Sequence, residues 1–192
     1  MPQNLPPWAI PLLAGAAVLA AGALSVLWYR RARARRAIDR RLERVAYDAL
    51  KNVLLPNGMG GQIHVNYLLL TPRGVLVIDV LDVPGAIFAG DQMLEWTAID
   101  RKGRYTFANP QSALFDRVAA VRMIAHDVPV EGRVVFTDRG EFPKGRPRWV
   151  LRFEDLAEEF PPVDRSQGAV VAAFAEVWAR VRSSSEPNPL VV

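Results

Sequence analysis

Residues 1–29 carry no charged side chain, and residues 30–44 carry eight arginines. That junction constrains the chain more than any other feature. An apolar helix rises about 1.5 Å per residue, so roughly 20 residues cross a hydrocarbon core about 30 Å thick. Trp8 stands at one end of the apolar run, with Trp28 and Tyr29 at the other, where interfacial aromatics belong. The collar RRARARRAIDRRLER follows at once, with only Asp39 and Glu43 against its arginines. By the positive-inside rule it keeps the C-terminal part in the cytoplasm. A cleaved leader would need a basic start and a shorter apolar stretch, and the run has neither. The expected layout is an extracytoplasmic N-terminus at 1–7, a transmembrane helix at 8–29 and a basic juxtamembrane collar at 30–41. A folded domain at 42–183 and a flexible tail at 184–192 complete a single-pass cell-membrane protein. Arg30, Arg31, Arg33, Arg35 and Arg36 face anionic lipid, at about 1 kcal/mol per basic residue near the surface.

The net charge of +4 invites a nucleic-acid reading that its distribution undoes. The collar alone is +6, leaving sixteen basic against eighteen acidic groups after residue 44. A nucleic-acid-binding domain marks its footprint with a basic face, and the domain shows none in its net charge. The chain has no cysteine, which excludes a disulfide framework, a thiol nucleophile and a thiolate zinc site. His64 and His126 are too far apart for a histidine-pair metal helix.

Past the collar, Leu42, Val45, Ala46, Ala49, Leu50 and Val53 follow the i, i+3, i+4, i+7 spacing of one buried helix face. Pro56 and Gly58, Gly60 and Gly61 end it. Two strands follow. The first alternates through residues 62–69, and Thr71-Pro72-Arg73-Gly74 is a turn. The second, 75–82, is VLVIDVLD, apolar enough for burial on both faces. A tight turn sets Leu70 opposite Val75. The same register pairs Asn66 with Asp79 and His64 with Leu81, all on one face. A third strand is expected within 93–99, with Gly103 turning the chain back through 105–107. Asn109 caps a helix with Pro110 in its first turn. Leu114, Val118, Val121 and Ala125 mark its buried stripe. Strands at 134–136 and 149–153 and a helix carrying Val170, Phe174, Val177, Trp178 and Val181 close the domain. The fold class is α/β, with a central mixed sheet flanked by helices.

Residues 63–85, IHVNYLLLTPRGVLVIDVLDVPG, resemble the core motif of the nuclease-related domain family, NERD. Trp96, Asn109-Pro110 and the strand EGRVVFT at 131–137 fit the same pattern, so the resemblance covers about residues 40–160. It implies a restriction-endonuclease-like αβββαβ core of the PD-(D/E)xK kind. It also implies two acidic residues holding Mg²⁺, which steadies phosphate charge and acidifies a water, and a lysine assisting attack. Carried onto this chain, the first acidic position falls on Asn66 and the second on Asp79. The lysine falls on Leu81, and the histidine after the first acid falls on Tyr67. A helix-one glutamate corresponds to Glu43, and the glutamine three residues past the Asn-Pro falls on Ala113. Asp79 and Glu43 are thus the metal-ligand candidates, while Asn66 and Leu81 are motif positions that lost their chemistry. Lys51 is a cation near enough in sequence to consider as a displaced substitute.

A carboxylate among Val77, Ile78 and Val80 is costly unless paired or metal-bound, so Asp79 is the sharpest oddity of the domain. It is either a surviving ligand or a relic held by Asn66, His64 or a backbone amide. Trp96, Trp149 and Trp178 read as packing, and the run 144–148 as an exposed turn. Three functions are compatible. The first is a catalytically degenerate nuclease fold serving as a binding module at the membrane, with a nucleic acid or a protein as partner. The second is an active Mg²⁺-dependent nuclease. The third is a structural subunit of a membrane assembly, with Ala17, Ala21 and Ser25 allowing close helix packing.

Overall fold

The computed structural model describes residues 9–164 and 168–189, and the side chains of all these except 9–19, 31 and 168–171. It divides into two units, residues 1–42 and 43–192. The first unit is carried by α1 (Ala9–Arg44), a single helix that runs on through the arginine collar. Leu24, Val26, Leu27, Trp28 and Tyr29 are more than half exposed on it. Among the described residues no helix is long and apolar enough to cross a membrane. The expected span begins at Trp8, outside the described residues, and the side chains of residues 9–19 are outside them too.

In the second unit the chain forms β1 (Asp48–Pro56), β2 (Gln62–Thr71), β3 (Gly74–Leu81), β4 (Gly85–Phe88), β5 (Glu95–Asp100) and β6 (Gly103–Ala108). Then come α2 (Pro110–Ile124), β7 (Val130–Phe136), β8 (Gly140–Glu141), β9 (Val150–Arg152), α3 (Leu156–Glu159), α4 (Gly168–Ser183) and β10 (Glu186–Pro187). One sheet has the order β10-β1-β2-β3-β7-β9, the other β6-β5-β4-β8. The first three strands of the larger sheet are an antiparallel meander, and β7 returns after α2 to lie parallel to β3.

The sequence expectation of a helix over 42–53 is corrected. The helix ends at Arg44, and residues 48–56 are a strand paired with β2 from Asp48↔Leu70 to Pro56↔Gln62. Over so short a stretch, apolar residues at helical spacing also fall on alternate strand positions, and long-range pairing decides. Asn52 settles the matter locally, since its φ of 50° lies outside the helical region. The expected strand within 93–99 exists as β5, but in the smaller sheet, where the unforeseen β4 and β8 join it. The tail is not loose throughout. Glu186 and Pro187 pair with Leu54 and Val53, and residues 190–192 lie outside the described part.

The hairpin between β2 and β3 has the expected register, with Leu70 opposite Val75 and pairing recorded as far as Tyr67↔Ile78. Leu68, Leu70, Val75, Val77, Val134 and Phe136 share one core with Leu114, Val118 and Val121 of α2. Helix and sheet meet closely at Gly132, where a Cβ would come within 2.5 Å of Val118 and 3.2 Å of Leu114. The alternate residues Leu69, Leu76, Ile78 and Val135 are fully buried as well. The central strands are therefore covered on both sides, as the apolar run predicts.

Candidate functional site

The site lies where β2 and β3 part. Their ladder is recorded to Tyr67↔Ile78, while β3 continues along β7 to Leu81↔Phe136. One step past the last rung stand Asn66 and Asp79, and two steps further His64 and Leu81. Strand alternation puts these four on the face that α2 covers. Asp79 is 4% exposed, while Asn66, His64 and Leu81 are half-buried.

Asp79 is held by neither Asn66 nor His64. Its Oδ2 accepts a hydrogen bond from Nη1 of Arg117 at 2.8 Å. The same guanidinium donates through Nε to the backbone carbonyl of His64 at 2.6 Å. Arg117 thus bridges the two strands past the end of their recorded ladder. It reaches them because it sits three residues after Leu114, at the edge of the buried stripe of α2. Two neighbouring polar atoms are buried without a partner, Oδ1 of Asp79 and Nε2 of His64.

The electrostatics follow from that placement. Burial raises the pKa of Asp79 above the ordinary 3.8 and outweighs the opposing pull of Arg117, which acts through its charge and its hydrogen bond. Burial first, and then the charge of Arg117, lowers the pKa of His64 below 6.5. His64 therefore stays neutral in the folded domain at a pH where the unfolded chain already takes a proton. Its contribution to stability is present above about 6.5 and is lost as pH falls from there through the lowered folded value. Asp79 acts in the opposite sense. Its contribution declines as pH rises from 3.8 through its raised folded value. Mild acidification is thus expected to remove the His64 contribution, so that His64→Gln should be less sensitive to acid than wild type. Denaturant titrations across the pH range check this. An unchanged acid sensitivity in His64→Gln would refute the assignment.

Glu43, the other metal-ligand candidate, is bound to Lys51 at 2.7 Å. Lys51 lies on β1 rather than on the first helix, and it meets Glu43 instead of completing a site around Asp79. No group of three or more His, Cys, Asp or Glu able to hold a metal occurs among the described residues. The donor set around Asp79 does not fit Mg²⁺. One of its oxygens already faces a guanidinium, Asn66 offers only a neutral carbonyl, and Leu81 offers nothing.

Sequence reasoning missed Arg117 altogether. The available signal was a cation beside the apolar stripe of the helix that must cover a carboxylate-bearing strand. A buried glutamine does stand on the helix, two residues before the position that the resemblance implies. Ala113 is exposed, whereas Gln111 is 2% exposed, and its Oε1 has no partner. Asn109 is the N-cap, accepting from the backbone N–H of Gln111 at 3.0 Å. On α1, Arg30, Arg33, Arg35 and Arg36 are exposed, and the side chain of Arg31 lies outside the described residues.

Comparison with protein-family models matches residues 30–137 to NERD, the nuclease-related domain. The match runs from the arginine collar to the strand after α2 and includes both halves of the candidate site. No curated protein and no solved structure gives a significant match.

Proposed function

This chain belongs to the nuclease-related domain family, NERD, and on that premise we propose that it is a membrane-anchored, catalytically degenerate member serving as a binding module. The observation that carries the reading is the Asp79–Arg117 pair. In a metal-dependent nuclease the carboxylate at this position holds a divalent cation. Here a fixed monovalent cation from α2 faces it instead. Arg117 balances part of the carboxylate's charge, repels a dication, and ties β2 to the helix. The larger sheet is read as a restriction-endonuclease-like core, in which α1, the β1–β3 meander, α2 and β7 supply the αβββαβ order. The uncharged run at 8–29 is read as the anchor. The apolar side chains of Leu24, Val26, Leu27, Trp28 and Tyr29 support it, since each is more than half exposed. The exposed collar arginines then meet anionic headgroups on the cytoplasmic side.

One observation favours an active Mg²⁺-dependent nuclease. Oδ1 of Asp79 is buried and unpartnered, which leaves it free to accept a ligand. The full chain, purified in detergent, is incubated with single- and double-stranded DNA and RNA in Mg²⁺ or Mn²⁺, beside Asp79→Ala. The degenerate reading expects no cutting by wild type. It expects activity to be recovered only when Asn66→Asp, Leu81→Lys and Arg117→Met restore the acids and the lysine together. Metal-dependent cutting by wild type that disappears in Asp79→Ala would sink it.

A further inference from the structure

We infer that the turn between β5 and β6 is a second membrane contact of this protein, docking on anionic phospholipid. Asp100 and Gly103 close the hairpin, and Arg101, Lys102 and Arg104 project around the turn, all exposed. Elsewhere in the folded unit, Lys51 and eight arginines form ion pairs among the described residues. The three cations of the turn form none. The acid before them, Asp100, is turned to the backbone instead of to a cation, its Oδ1 accepting from the N–H of Lys102 at 2.7 Å and of Gly103 at 3.2 Å. Glu95 lies at the far end of β5, about 17 Å along the strand at 3.4 Å per residue. The turn therefore carries three exposed cations against the single carboxylate of Asp100, a net of +2.

Its flanks select the partner. Ile99 is 44% exposed and lies opposite Arg104; Tyr105, 39% exposed, projects to the other side. An aliphatic side chain and a tyrosine beside three cations suit the headgroup boundary of a bilayer, where tyrosine is enriched and basic groups meet phosphate. A phosphodiester backbone would use the cations and leave Ile99 in water. The inference rests on the anchored reading, because tethering holds the domain beside the lipid at high effective concentration, so a weak contact is populated. Each basic residue near an anionic surface contributes about fivefold, so the three together contribute roughly 100-fold.

The chain has no cysteine, so Thr106→Cys accepts one fluorophore on the outward face of β6. The full chain is reconstituted into nanodiscs of phosphatidylcholine, with or without phosphatidylserine, carrying a quencher-labelled lipid. Quenching is expected in the phosphatidylserine discs. It should be lost in phosphatidylcholine discs and in the R101Q/K102Q/R104Q variant. An unquenched label in phosphatidylserine discs overturns the inference, as does equal quenching of the variant. Release of the quenched label by a single-stranded oligonucleotide would assign the turn to nucleic acid and overturn it too. A chain that stays outside the discs refutes the anchor reading instead. The free chain is then sedimented with phosphatidylserine vesicles, where the variant must still bind roughly 100-fold more weakly.

Discussion

Replacing Arg117 by methionine is expected to lower the stability of the folded domain by about 3 kcal/mol. The substitution keeps the bulk of the side chain but leaves the Asp79 carboxylate, 6% exposed, without its counter-charge. It also leaves the carbonyl of His64 without its donor. Asp79 can escape part of the penalty by taking a proton, because burial already raises its pKa. The loss should therefore shrink as pH falls, when the carboxyl is neutral in both states, and grow as pH rises through the raised folded value. The reciprocal change is milder. In Asp79→Asn the guanidinium keeps its bond to the His64 carbonyl and, being 21% exposed, can reach water, so the loss should be about 1–2 kcal/mol. Replacing both by Leu and Met should come within about 1 kcal/mol of wild type, or exceed it, because no buried charge remains. Urea unfolding of wild type and the three variants at several pH values checks all three expectations. A pH-independent loss below about 1 kcal/mol in Arg117→Met would mean that the pair is a solvated contact.

Trp96→Ala should cost still more, about 3–5 kcal/mol. The indole is fully buried, and its N–H donates to the carbonyl of Gly90 at 3.1 Å. Its ring meets Phe107 edge-on at 6.1 Å and stacks on Phe136 at 6.2 Å. Phe107 belongs to the smaller sheet and Phe136 to the larger, so this one side chain joins the two. Trp96→Phe keeps most of the ring contact and removes one of two donors to the Gly90 carbonyl, which still accepts from the backbone N–H of Met93 at 3.2 Å, and should lose about 1 kcal/mol. Hydrogen exchange separates the two effects. In Trp96→Ala the amides of β4, β5 and β6 should lose protection before those of β1, β2 and β3. Uniform loss across both sheets would show that Trp96 fills a common core rather than joining two layers.

Much of this architecture is legible in the residues. The β2–β3 hairpin could be placed to the register because Pro72 and Gly74 fix the turn and a strand has no third face to offer. The cap of α2 was equally plain from Asn109-Pro110. β1 was not, because its apolar residues fit both periods and its identity depends on a partner strand. β4 and β8 are too short to carry a pattern of their own. At the site, Asp79 announced itself by its apolar neighbours. Arg117 did not, because an arginine at the edge of a helix stripe usually extends into water and lays only its stem on the core. The Asp79–Arg117 pair exists only once α2 has folded across the sheet.

The two residues of β10 set the order in which the sheet can be finished. Val53 and Leu54 lie early in the domain, and their outer partners Pro187 and Glu186 follow more than 130 residues later. Until then β1 presents an unpaired edge, the kind of template on which another chain can add. Completion adds a strand of two residues that includes a proline, which lacks an N–H and discourages further pairing. The backbone N–H of Asn188 then bonds to the carbonyl of Asn52. A chain in which residues 186 and 187 are not yet in place therefore carries an open sheet edge at Val53 and Leu54, and their pairing closes it.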